Sequence, residues 1–174
     1  MATLYLDPVS DGSPFQWNGS YLDVDGGNRS GGGSTSSGSI QSYSEGDQAV
    51  INYGLPGSTS DTISAITVWA YVDGADGRPS VDLYINSWQG QRTNSARSSS
   101  VGGWSGWEYS YSGTFSSVTG LKSKHVCSSE EDDDIADVYL EITYEAASSS
   151  WPIAAAVVAT QQVIIPPPIF GGAT

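Results

Sequence analysis

The chain has 174 residues but only one cysteine, Cys127, and one histidine, His125. A single cysteine excludes an internal disulfide, and its simplest role is a small apolar side chain. A nucleophilic thiol needs an activating base. Residues two apart on a strand point the same way, so a Cys–His pair is a minor alternative. No Gly-x-Ser-x-Gly motif is present, and no spacing of acids indicates a glycosidase pair. The sequence therefore predicts a protein that is not an enzyme.

Basic residues are also scarce, because six Lys and Arg stand against 19 Asp and Glu. The formal net charge is −13. The six basic residues are scattered along the chain: Arg29, Arg78, Arg92, Arg97, Lys122 and Lys124. A surface for nucleic acid needs clustered basic side chains that neutralise phosphates. We therefore expect no binding to nucleic acid and none to an anionic membrane.

Long hydrophobic runs are missing as well. The apolar stretch Ile153–Ala159 is too short to span a bilayer before it meets Thr160. Residues 1–7 lack the basic start and the apolar centre of a signal peptide. These features lead us to expect a protein made in the cytoplasm.

Alternation of apolar and polar residues is the strongest pattern that is present. Val138, Leu140 and Ile142 alternate with polar residues within Ile135–Glu145, and Thr62–Val72 shows the same period of two. Glycine is abundant at 21 residues, and short turn segments separate the strands. The pattern predicts an all-β fold over residues 1–148, an antiparallel two-sheet β-sandwich of jelly-roll type with roughly eight or nine strands.

Several segments carry more specific expectations. Asp7-Pro8 and Ser10–Pro14 have the residues of turns, and Tyr21–Val24 has the pattern of a short strand. Inward-facing Val81, Leu83 and Ile85 predict a strand that runs to about Trp88, and a further strand is expected over 91–97.

The C-terminal segment, residues 149–174, is apolar and poor in charge, and it ends near three consecutive prolines. Three prolines favour an extended conformation. Two alternatives stay open: a tail packed on its own domain, or an extended arm that a neighbouring subunit covers. The residues that we expect to contact a partner in the second case are Trp151, Ile164, Ile165, Ile169 and Phe170.

A weak calcium site is suggested within the first thirty residues of the chain. Asp23, Asp25 and Asn28 supply oxygen ligands around two glycines. The rest of a calcium loop, including its terminal Glu, is missing. Turn formation by these acids is the favoured alternative, and no other cofactor is expected.

Aromatic residues follow the polar face of several predicted strands. Trp69 and Tyr71 share one face of their strand, Tyr84 and Trp88 come from the next, and Tyr139 adds a third. Three explanations compete for such a face. Loops fold over it as a second small core, a neighbouring subunit packs on it, or sugars stack on the rings.

Six segments together resemble a jelly-roll domain of structural proteins of tailed bacteriophages. They are Leu4–Pro8, Trp17, Ile63–Ala70, Val81–Ile85, Tyr111–Phe115 and Asp137–Tyr144. The resemblance covers about residues 3–146. It implies a non-enzymatic virion component, made in the host cytoplasm, that assembles with other virion subunits as a head decoration or as a tail or fibre subunit. A homo-oligomer is the expected state, and a carbohydrate-binding module that adheres to glycans is the alternative.

Overall fold

A computed structural model describes most of the first 147 residues. The described residues are 1–24, 38–55, 57, 59–72, 79–93, 95, 97–98, 103–128 and 133–147. This part of the chain forms ten strands and two short 3-10 helices, Tyr21–Asp23 and Phe115–Ser117, and contains no α-helix. The strands are β1 (Ala2–Leu6), β2 (Pro8–Phe15), β3 (Ile40–Ser42), β4 (Gln48–Tyr53), β5 (Thr62–Val72), β6 (Ser80–Ile85), β7 (Arg97–Ser98), β8 (Trp104–Thr114), β9 (Leu121–Val126) and β10 (Asp133–Glu145).

The strands form two antiparallel sheets. Sheet 1 has the order β1-β10-β5-β8-β7, and β3 pairs with the start of β10. Sheet 2 has the order β2-β4-β9-β6. The prediction of an all-β fold with two antiparallel sheets is confirmed. Within the described ranges, no helix is long and apolar enough to cross a membrane.

The core lies between the sheets and follows the predicted alternation. Ile66 and Val68 of β5 are fully buried in the same cluster as Leu83 of β6. A buried hydrogen bond joins the sheets, because the Tyr109 hydroxyl on β8 donates to the Val81 carbonyl at 2.6 Å. The sheets are thus held together by apolar burial and by a satisfied polar contact.

Two segments near the N-terminus differ from the sequence predictions. The turn-rich segment from Pro8 is strand β2, which pairs with β4 through register shifts. Gly12 allows β2 to lie this close to β4, since a Cβ atom at this position would be 2.4 Å from Val50 Cγ1. The predicted strand at Tyr21 is a 3-10 helix, in which the Asp23 carboxylate accepts the Ser20 N–H at 2.8 Å. Local capping therefore outweighs the strand pattern there.

The prediction of one strand running from Val81 to Trp88 was wrong. The chain reverses at Asn86, which has a positive φ of 61°, a conformation that Asn tolerates better than most residues. The Asn86 side chain fixes this turn by accepting the Thr119 N–H at 2.7 Å. Residues 88–92, the return segment, then pair antiparallel with β6 through Trp88 and Arg92. Of the strand expected over 91–97, the described residues show only the bridge at Arg92 and the start of β7.

Candidate functional site

The predicted aromatic face is divided between the outer faces of the two sheets. Trp69, Tyr71 and Tyr139 lie on β5 and β10 of sheet 1, whereas Tyr84 lies on β6 of sheet 2 with Trp88 beside it. The expectation that these residues share the outer face of one sheet was wrong. Alternation along a strand gives the face of a side chain, but sheet membership depends on which strands pair.

The aromatic residues of sheet 1 form a second small cluster. Trp69, Trp104 and Tyr139 are only 7%, 3% and 7% exposed. The Trp69 and Tyr139 rings stack with centroids 6.4 Å apart, and the Trp104 ring meets the Tyr139 ring edge-on at 5.2 Å. Burial raises the pKa of Tyr139 to about 12. Rings packed in this way stabilise the sheet and offer little open face to a sugar.

Polar contacts hold the edge of this cluster in place. The Trp69 Nε1–H donates to Glu141 Oε2 at 2.7 Å. The Arg97 guanidinium lies 4.9 Å from the centre of the Trp69 ring and 3.2 Å from Glu141 Oε1. Trp69, Glu141 and Arg97 therefore satisfy one another, as expected for a structural arrangement.

Sheet 2 carries a more open group, which we call the lysine–aromatic patch: Tyr84, Trp88, Lys122 and Lys124. Trp88 is 41% exposed, and its ring meets the Tyr84 ring edge-on at 5.3 Å. The Lys124 amine lies 4.6 Å from the Trp88 ring centre, and the Lys122 amine lies 5.6 Å from that of Tyr84.

Strand pairing explains why these four side chains meet. Lys122 and Lys124 are two residues apart on β9, so both point outward, and they are paired with Tyr84 and Asp82 on β6. The turn at Asn86 then brings Trp88 back beside Tyr84. By charge alone, the two lysines are indistinguishable in the sequence from the other scattered charges. Their spacing of two on an alternating strand was the signal that would have grouped them.

The single histidine lies in the core of sheet 2. His125 is fully buried, and its Nε2 is 2.9 Å from the Ser123 hydroxyl, which is 2.8 Å from the Tyr53 hydroxyl. Burial lowers the pKa of His125 to about 3 and raises that of Tyr53. His125 Nδ1 has no hydrogen-bond partner among the described residues, so no carboxylate there orients the ring as in a catalytic triad.

The single cysteine is buried close to the same strand. The Cys127 thiol donates to the Ser42 carbonyl at 3.7 Å, and the side chain is 2% exposed. A thiol in such surroundings is shielded from solvent, whereas reactive cysteines are partly exposed.

The predicted calcium ligands are only partly described. Asp23 uses Oδ2 to accept hydrogen bonds from the Ser20 N–H at 2.8 Å and from the Ser20 hydroxyl at 3.3 Å. Asp25 and Asn28 lie outside the described residues. Within the described part of the chain, no group of three or more His, Cys, Asp or Glu side chains is placed to hold a metal ion.

The predicted C-terminal partner residues also lie outside the described residues, and so does the whole segment 149–174. They are Trp151, Ile164, Ile165, Ile169 and Phe170. Their interpretation as an arm, and the boundary near residue 148, stay predictions from the sequence.

Comparisons with known proteins found no match to this chain among family models, curated proteins or solved structures. Function is therefore inferred from the strand order and from the outer faces of the two sheets.

Proposed function

We propose that this protein is a non-enzymatic structural subunit of a phage particle, a head decoration or a tail or fibre subunit, built on a jelly roll. The observation that carries the proposal is the strand order. Jelly-roll sandwiches recur in viral capsid proteins and in lectins. One fold hosts many functions, so the assignment is an analogy at the level of the fold, and the two experiments below test it.

The strand order supports the jelly roll as follows. In an eight-stranded jelly roll, the first, eighth, third and sixth strands form one sheet, and the second, seventh, fourth and fifth form the other. Counting β1, β4, β5, β6, the return segment, β8, β9 and β10 as the eight strands reproduces both orders. The extra strands β2, β3 and β7 flank β4, β10 and β8.

Assembly follows from the C-terminal segment in this proposal. An apolar segment of low charge on an acidic chain needs a covering partner, and a second copy is the natural one. The subunit would assemble as a homo-oligomer and reside in the virion with other virion subunits. Mass spectrometry of purified particles should find the chain in stoichiometric amounts, and its absence from them would contradict the assignment.

Sedimentation of the full-length chain tests assembly directly. We expect a closed oligomer that the double variant Ile164→Asp, Ile165→Asp converts to monomers, because two buried charges oppose association. The control, Gln161→Asp with Gln162→Asp, adds the same charge to polar positions of the same segment and should leave the oligomer intact. A monomer at every concentration, or equal effects of both variants, would count against the arm.

Carbohydrate binding is the second candidate, and the lysine–aromatic patch is the observation that favours it. The Trp88 side chain is 41% exposed on the outer face of sheet 2, beside Tyr84. Aromatic faces next to polar groups suit the apolar faces of sugar rings. Trp88→Ala should abolish retention on immobilised glycans, whereas Tyr43→Ala, at another exposed aromatic residue, should not. Equal retention of both variants would exclude this patch as the glycan site.

A further inference from the structure

The lysine–aromatic patch concentrates positive charge on a strongly acidic chain. Two of the six basic residues lie on it, although the chain carries 19 acidic residues. Both amines lie over aromatic rings, at 4.6 Å for Lys124 on Trp88 and 5.6 Å for Lys122 on Tyr84. The rings and the extended strand β9 therefore fix where the two charges stand.

The two lysines differ in how their charge is compensated. The Lys124 amine lies 3.6 Å from Asp82 Oδ2, and the other oxygen of that carboxylate accepts the Gly90 N–H at 2.9 Å. Lys122, in contrast, has no carboxylate of the described residues within ion-pair distance. The patch thus has one neutralised cation and one that remains available to an anion.

We propose that the lysine–aromatic patch binds a pyranose sugar that carries a carboxylate, of the uronic or sialic acid type. The apolar face of the sugar ring stacks on the exposed indole of Trp88, and its carboxylate accepts a hydrogen bond from the Lys122 amine. This inference builds on the second proposed function and specifies the class of sugar.

Charge favours a carboxylated sugar over both a nucleic acid and a neutral sugar. The net charge of −13 repels long polyanions such as nucleic acid, because every added phosphate meets the acidic surface. A single carboxylate needs one cation at close range, which Lys122 supplies. A neutral sugar stacks on Trp88 equally well, but it leaves the charge of Lys122 without a partner.

The test compares neutral oligosaccharides with counterparts in which one residue is a uronic or sialic acid. A glycan array with the full-length chain selects the best matched pair, and calorimetry then measures both affinities at low and high salt. We expect the acidic sugar to bind about tenfold more tightly at low salt, since a charged hydrogen bond contributes that much. The preference should shrink at high salt, where screening weakens an exposed contact.

Three variants assign the contacts. Lys122→Gln should remove the preference by lowering the affinity for the acidic sugar to that for its neutral counterpart, whereas Trp88→Ala should remove binding of both sugars. Arg97→Gln removes the same charge from sheet 1 and should leave both affinities as they are. Circular dichroism and sedimentation of each variant show that the fold and the oligomeric state are retained.

The outcomes separate this inference from the function it builds on. Equal binding of neutral and acidic sugars, lost in Trp88→Ala, would overturn the acidic preference and retain carbohydrate binding. No binding of any sugar would overturn both. A changed oligomeric state in Lys122→Gln without a change in sugar affinity would assign the patch to contacts between copies and would also overturn the inference.

Discussion

Acidification should destabilise this protein through its single buried histidine. His125 is fully buried, and burial lowers its pKa to about 3 from the usual 6.5. The folded state therefore holds the ring neutral, whereas the unfolded chain takes up a proton below pH 6.5. The stability that His125 contributes is complete above pH 6.5 and is lost as the pH falls towards 3.

The size of the effect follows from the two pKa values. Each pKa unit between the folded and unfolded states corresponds to about 1.36 kcal/mol. The linkage gives a loss of about 2 kcal/mol between pH 7 and pH 5, and of about 3 kcal/mol between pH 7 and pH 4. Because small domains have stabilities of roughly 5–15 kcal/mol, a loss of this size is measurable in a standard denaturation experiment.

Urea denaturation between pH 7 and pH 5, followed by tryptophan fluorescence, measures this loss. Carboxylates also titrate towards the lower end of this range, so the informative quantity is the difference in pH dependence between the natural chain and His125→Gln. The variant lacks the titrating ring and keeps a polar group beside Ser123. His125→Leu serves as a second control. Parallel curves for all three proteins would refute the burial of His125, and so would an imidazole proton signal that titrates near pH 6.5.

Three further predictions concern burial and backbone space. Trp69→Ala should lower the free energy of unfolding by about 3–5 kcal/mol, and Trp88→Ala by less than about 1 kcal/mol, in urea titrations; equal losses would contradict their placement. Gly103→Ala should cost about 1–3 kcal/mol in thermal melts, because its Cβ would lie 2.2 Å from a β5 carbonyl oxygen, whereas Gly57→Ala meets nothing and should be neutral. Asp23→Ala should lose about 1 kcal/mol equally with calcium and with chelator, and a calcium-dependent loss would instead indicate a metal site.

The strongest strands could be predicted from the sequence because their alternation is long. Thr62–Val72 matches β5 as predicted, and the predicted Ile135–Glu145 lies within β10. Both are central in sheet 1, where one face must be apolar along the whole strand. Strand β2 was missed because its local residues favour turns, and its extended form depends on pairing with β4, which lies more than thirty residues later.

The candidate site was only half predictable for a similar reason. Alternation correctly placed Trp69 and Tyr84 away from the main core. It could not predict which sheet each residue belongs to or how exposed its side chain is. Trp69 is covered by its neighbours on sheet 1, whereas Trp88 is open because the chain turns at Asn86. The contact between the lysines of β9 and these rings depends on pairing between β6 and β9, across more than thirty residues of sequence.

A backbone NOE map of the full-length chain is the most direct test of the two-sheet arrangement. The first strand should show contacts with the last, as between Leu4 and Ile142, and the return segment should show contacts between Val81 and Arg92. Strand β10 should also show contacts with β5, as between Val138 and Ala70. A meander in which β10 instead shows its contacts with β9 would contradict the jelly roll and the assembly proposed from it.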